Sequence, residues 1–330
     1  MCSKILVAAL ITCVHTFSPQ HNSATQTFRS TRSTRLLSTR NNDYSLFETV
    51  RRKEAQLEQF RMQHKDPQDE LQMLLGYFDA EPDFGSATKL ASALRRPGRL
   101  SVGVDIKRRS PTSSLRVDFN DAGGVADSFI DSGIDFVVAN ADYESYGGDT
   151  TDIEQAVASV HKSSPDTPVI FKDIIIDPLQ LALAKQLKFD AALVMACVVG
   201  KDLTDLLDTG TLINLPIIVE CHTPEEVALA VEGGAGTILL NRVDRFGGNE
   251  FHATQPFAIR DELPPGNVVT TLVTGKVFDT LESNLFLQEG FDGVLIGEGL
   301  VGNPSASSLI KELHDLKLDD EGEINRGNVF

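Results

Sequence analysis

Cysteine is scarce in this chain of 330 residues, which has four. Cys2 and Cys13 fall near the N-terminus, while Cys197 and Cys221 each lie at the end of an apolar run. Two cysteines in the body of the chain cannot build a disulfide framework, so buried thiols are expected. There is no CxxC and no zinc-ligand spacing, and the seven histidines are scattered, so no metal site is expected. His222, beside Glu220, reads as a polar residue at the rim of the fold rather than a ligand. No GxGxxG occurs, which removes the sequence signal for a dinucleotide-binding turn. No apolar run is long enough for a membrane helix. Acid is missing altogether from the first 42 residues.

That acid-free stretch carries Lys4, Arg29, Arg32, Arg35 and Arg40, a charge of +5 against a net charge of -17 for the whole chain. Residues 43–330 therefore carry -22, and a body that acidic repels nucleic acid and anionic membrane surfaces. Within residues 1–42, "ILVAALITCV" follows a lone lysine and has the length of a signal-peptide core, too short to span a bilayer. The Ser-, Thr- and Arg-rich segment after it has the composition of an organelle transit peptide. A signal sequence followed by a transit sequence, with Phe17 near the junction, resembles the bipartite leader of proteins sent to secondary plastids, so a plastid location is expected.

Residues 43–96 read as a helical extension, because "LFETVRRKEAQLEQFRMQHKDPQDELQMLL" sets apolar residues at helical spacing in a highly charged background. From residue 100 the texture changes. Eight short apolar runs follow: "LSVGVDI", "FVVAN", "PVIFKD", "AALVMA", "PIIVEC", "TILLN", "VVTTLV" and "GVLIG". Helix-like segments separate them, such as "TPEEVALAVEGG", with a Thr cap, acids in the first turn and a glycine stop. Strands apolar throughout belong to a parallel sheet covered on both faces. Eight strand–helix units over residues 100–316, roughly 27 residues each, fit an α/β fold, a (β/α)8 TIM barrel whose domain spans residues 97–330. An open doubly wound sheet is the weaker alternative.

Chemistry in such barrels sits at the C-terminal ends of the strands. Those ends carry Asp105 and Lys107, Lys172, Glu220, Asn241, Thr274 with Gly275, and Gly297. Asp105 and Lys107 are two apart and share a face of their strand. Two lysines and two carboxylates at one barrel mouth supply general acids and bases. As a rim residue, Lys172 is expected to contribute little to the core.

"DIKRRSPTS", "FKDIIID", "IIVECHTPEE", "LLN" and the final "LIG…NP" resemble, in order, the motifs of indole-3-glycerol phosphate synthases, from about Val50 to Pro304. The resemblance implies a carboxy-lyase that closes and decarboxylates 1-(2-carboxyphenylamino)-1-deoxyribulose 5-phosphate in tryptophan biosynthesis, with neither metal nor cofactor. It implies an anionic small-molecule substrate that is both phosphorylated and carboxylated. On the same ground Lys172 is the general acid of ring closure and Lys107 contacts the substrate and assists. Glu220 takes part in proton transfer, Asn241 orients the substrate, and Ser110 belongs to the substrate-binding motif. Ring closure and dehydration need protons delivered at two points, and loss of CO2 needs positive charge near a carboxylate.

Several positions depart from the family pattern. Asp105 replaces a glutamate and is one methylene shorter, a difference that matters where a shift of about 1 Å can cost on the order of a hundredfold in rate. Asn241-Arg242-Val243 stands for Asn-x-Arg, so the arginine comes one place early and is expected to point elsewhere. Val273-Thr274-Gly275 stands for Glu-Ser-Gly, and Gly297-Glu298-Gly299 for Gly-Ser-Ser. Loops after the seventh and eighth strands commonly bind phosphate, and Glu298 brings negative charge there. Lys276 is expected either to neutralise it or to grip phosphate itself. Two other readings stay open: a diverged barrel that binds or scaffolds without turnover, and a lyase or isomerase acting on another phosphorylated substrate.

Overall fold

The computed structural model describes residues 46–76, 85–111, 115–243, 251–263 and 269–318. The expected leader, residues 1–42, lies outside the described residues. Eight parallel strands close into a barrel in sequence order: β1 (Ser101–Ile106), β2 (Phe136–Asn140), β3 (Val169–Lys172), β4 (Ala191–Met195), β5 (Ile217–Cys221), β6 (Thr237–Asn241), β7 (Thr270–Thr274) and β8 (Gly293–Ile296). Every strand residue but Thr274 is buried, as expected of strands with side chains packed inside the barrel and helices outside it. Each of the eight apolar runs holds one strand, and the open sheet is excluded by the pairing of β8 with β1.

Three helices precede the barrel: α1 (Leu46–Gln63), α2 (Glu70–Gly76) and α3 (Gly85–Leu94). Helices α4 (Ala122–Asp131), α5 (Thr150–Ser163), α6 (Pro178–Gln186), α7 (Leu203–Leu212), α8 (Pro224–Glu232), α9 (Gln255–Glu262), α10 (Thr280–Gln288) and α11 (Ala306–Asp315) follow the eight strands in turn. The caps are local and readable. Asp121, Asp149, Asp177, Thr223 and Asp279 each accept a first-turn N–H, starting α4, α5, α6, α8 and α10. Among the described residues, no helix is long and apolar enough to cross a membrane.

Helix α1 buries Leu46, Thr49, Lys53, Leu57 and Phe60, spaced three and four apart along one face. Lys53 is the unexpected member. Its ammonium lies 3.1 Å from Asp142 and 2.7 Å from Asp173, residues that follow β2 and β3. Arg52 also reaches Asp142, at 2.8 Å, and Arg61 donates to Asp177 at the start of α6. The extension is therefore fastened across the mouth end of β2 and β3. At the opposite end, Arg96 and Arg99 after α3 bind Asp135, the residue before β2, which also accepts the Val102 N–H.

Candidate active site

The carboxyl ends of β1, β2, β3, β5 and β6 bring one polar cluster together. Asp105, the penultimate residue of β1, is paired in register with Val138, and Lys172 closes β3 opposite Asn140 of β2. The Lys107 ammonium lies 2.5 Å from Asp105 Oδ2, and that of Lys172 lies 3.4 Å from the same oxygen. Asn140 donates to Asp105 Oδ1 at 2.5 Å and to the Ile106 carbonyl at 3.0 Å. Burial alone would raise the Asp105 carboxyl. The Lys107 and Lys172 charges, with hydrogen bonds from Lys107 and Asn140, overcome it and hold Asp105 well below the usual carboxylate range. The shorter side chain at position 105 thus still reaches both lysines.

Lys172 continues the chain of charge, with Glu220 Oε2 at 3.9 Å. It is 3% exposed, so it is a buried residue and not the rim lysine expected from its place at a strand end. Glu220 is fully buried and accepts from Asn241 Nδ2 at 2.8 Å. The Asn241 carbonyl oxygen is taken by the Val243 N–H at 3.0 Å, which turns the amide nitrogen toward Glu220. Tyr146 lies beside both lysines, its ring centroid 5.8 Å from the Lys107 nitrogen and 5.4 Å from that of Lys172.

His222, the residue after β5, lies between two carboxylates. Nε2 is 3.4 Å from Glu220 Oε1, and Nδ1 is 3.3 Å from Glu226 Oε2. Burial works against a charged imidazole here. The Cys197 thiol and the two glutamates outweigh it and raise His222 well above its ordinary value.

Nine of the ten residues expected at the site line one open cleft: Asp105, Lys107, Ser110, Lys172, Asn241, Thr274, Gly275, Lys276 and Gly297. Glu220 does not line it, and its carboxylate stands behind Lys172 and Asn241. The Thr274 hydroxyl donates to the Leu295 carbonyl, so its polarity is spent on β8. Val273 is buried away from the cleft. Arg242 does point elsewhere. It is fully buried against Glu282 and donates to the carbonyls of Gly275 and Lys276 at 2.9 Å each. It thereby holds the β7–α10 loop, in which Gly275 takes φ +91° and a Cβ would lie 2.7 Å from Asn241 Oδ1. No side chain but glycine's fits there.

Among the described residues, Lys276 and Glu298 share no ion pair, and the Lys276 ammonium sits 5.1 Å over the Phe251 ring instead. The expected neutralisation of Glu298 by Lys276 is not made. The backbone N–H groups of Lys276, Glu298 and Gly299 donate to no protein acceptor among those residues and border the cleft. Reading strand ends alone missed Asn140, Tyr146 and Glu226. Asn140 ends β2 and Tyr146 follows it in "FVVANADYESY", and that strand's polar final residue was the available signal.

The sequence profile for indole-3-glycerol phosphate synthase matches residues 47–313. The indole-3-glycerol phosphate synthase of Chlorobium limicola is 30% identical over 244 residues, covering 73% of this chain and 88% of that protein. The one from Roseiflexus sp. is 28% identical over 227 residues, covering 68% and 83%. In structure, 3-hexulose-6-phosphate synthase from Salmonella typhimurium superposes with a TM-score of 0.51 at 12% identity, over 66% of this chain and 98% of that one, a likeness of fold alone. The profile match takes in α1 from its second residue, all eight strands and every residue of the mouth cluster, and on that breadth the chain belongs to the indole-3-glycerol phosphate synthase family.

Proposed function

We propose that the chain closes and decarboxylates 1-(2-carboxyphenylamino)-1-deoxyribulose 5-phosphate, releasing CO2 and water and forming indole-3-glycerol phosphate in tryptophan biosynthesis. The observation that carries this reading is the continuous contact Lys107–Asp105–Lys172–Glu220 at the barrel mouth. Two cations sharing one carboxylate give two acids at one cleft, and the reaction needs protons at two points. In this reading Lys172 protonates the ketone oxygen as the new carbon–carbon bond forms, and Lys107 attracts the substrate carboxylate and assists. Glu220 takes up the proton released when the ring regains aromaticity, and Asn241 holds Glu220 in register. The phosphate lies against the free N–H groups of Lys276, Glu298 and Gly299, with Lys276 as its side-chain cation. No metal or cofactor enters the scheme. We further propose that residues 1–42 are a plastid-targeting leader, with residues 43–96 and 97–330 as helical extension and barrel.

A second reading has its own observation. Glu298 lies at the phosphate loop, and among the described residues no cation pairs with it, which favours a barrel that binds weakly or scaffolds without turnover. One assay separates the two. Incubating the purified chain with the linear precursor yields indole fluorescence under the first reading, and none in Lys172→Ala. Ligand binding by the parent without fluorescence would establish the second reading.

A further inference from the structure

Behind Glu220, on the flank of the mouth, stands a cluster that the proposed reaction does not use. Cys197 lies in the one-turn helix Ala196–Val199 directly after β4, His222 follows β5, and Glu226 is in the first turn of α8. Because β4 and β5 are neighbours in the barrel, the three meet despite their separation in sequence. One ligand atom from each lies within 4.8 Å of the others. We propose that Cys197, His222 and Glu226 form a binding site for a thiophilic divalent cation of the zinc class.

The donor set is one sulfur, one imidazole nitrogen and one carboxylate oxygen, a combination that suits zinc. Metal–nitrogen and metal–oxygen bonds of roughly 2.0–2.2 Å about a tetrahedral centre put those two ligand atoms roughly 3.3 Å apart. His222 Nδ1 and Glu226 Oε2 are 3.3 Å apart. A metal-bound histidine commonly gives its other ring N–H to a carboxylate. His222 Nε2 faces Glu220 Oε1 at 3.4 Å and has no well-directed hydrogen bond of its own. Cys197 and Glu226 are half-buried, so an ion can enter from solvent and keep a fourth position for water. A thiolate and a carboxylate together neutralise a dication, which removes the cost of burying charge. Cys221 stays outside, buried with its sulfur toward the Val219 carbonyl. Occupancy fixes His222 with its Nε2–H on Glu220. That consequence for proton transfer rests on the proposed function, whereas the binding does not.

The test uses Co2+ as the probe on the reduced full chain, with Zn2+ as competitor. One equivalent of Co2+ is expected to produce a thiolate-to-cobalt charge-transfer band and tetrahedral ligand-field absorption, both abolished by Zn2+. The band persists in Cys221→Ser, disappears in Cys197→Ser, and in Glu226→Gln requires about tenfold more Co2+ or greater. Circular dichroism reports whether each variant is folded. X-ray absorption of the zinc-loaded parent needs no variant and is expected to show one sulfur at about 2.3 Å. Absence of the band in the parent, an equal band in folded Cys197→Ser, or a zinc shell without sulfur would overturn the site. None of these readouts depends on turnover, so loss of the proposed activity leaves the site standing.

Discussion

Asp105 Oδ2 lies 2.5 Å from Lys107 Nζ, so an aspartate standing where the family has glutamate still closes the ion pair. Asn140, reaching over from β2, fixes the other carboxylate oxygen. The missing methylene is thus absorbed by the fold. Asp105→Glu should change the rate by no more than roughly threefold, whereas Asp105→Asn should lower it by roughly a hundredfold by removing the anion both lysines share. Steady-state rates of the two variants check this, and a large gain in Asp105→Glu would show that reach was limiting.

Lys172 is buried between Asp105 and Glu220, so its removal should be felt in stability as well as activity. Lys172→Ala leaves Glu220 buried without its cation. It should abolish indole formation and lower the unfolding free energy by about 3 kcal/mol. Urea unfolding followed alongside the fluorescence assay reads both. An unchanged midpoint would mean that Glu220 is satisfied by Asn241 and His222 alone.

Charge at the phosphate loop should act through two independent side chains. Glu298→Ser is expected to tighten binding of the linear phosphate roughly tenfold, since unit charges at about 4 Å are worth roughly 1 kcal/mol in water and more in a half-buried cleft. Lys276→Ala should weaken it by a similar factor. Because the two side chains do not pair, the double variant should bind within about 0.5 kcal/mol of the sum. Calorimetric titration of the parent, both single variants and the double variant decides the matter.

Acid should loosen the seat of α1. Burial tends to raise the Asp142 carboxyl, but Lys53, Arg52 and the Ser145 hydrogen bonds bring it down to about 2. A folded-state value below the unfolded one, about 3.9, stabilises the protein fully above the unfolded value. That contribution, about 2 kcal/mol, is lost as the pH falls from near 4 toward 2. The parent should therefore lose more stability than Asp142→Asn between about pH 5 and pH 2. Parallel acid dependences in urea midpoints would remove Asp142 from the account.

Much of this fold was legible in advance. Runs such as "FVVAN" and "TILLN" coincide with β2 and β6, because a parallel strand buried on both faces has no polar alternation to blur its ends. Caps such as Thr223 and the strand-end positions of Lys172, Glu220 and Asn241 were equally local. What escaped depends on partners distant in sequence. Within "VRRKEAQL", Lys53 reads as one more solvated charge, and nothing nearby reveals that Asp142 and Asp173 await it. Arg242 likewise reads as a displaced substrate ligand until Glu282 and the loop carbonyls are seen around it. Cys197 and His222 show no metal spacing because adjacent strands, not a short motif, bring them together.

Helix α1 is synthesised well before the carboxylates that seat it. Arg52 must wait through 90 residues of further chain before its partner Asp142 exists, and Lys53 waits longer still for Asp173. A nascent chain halted before β3 would carry an amphipathic helix whose Lys53 has no Asp173 to pair with, a partly seated element that invites chaperones or self-association. Closing so long a loop adds only slowly to the entropy of folding but weighs on its rate. Docking of this helix should therefore be a late step on the folding pathway, and the barrel mouth should stay open to water until it is complete.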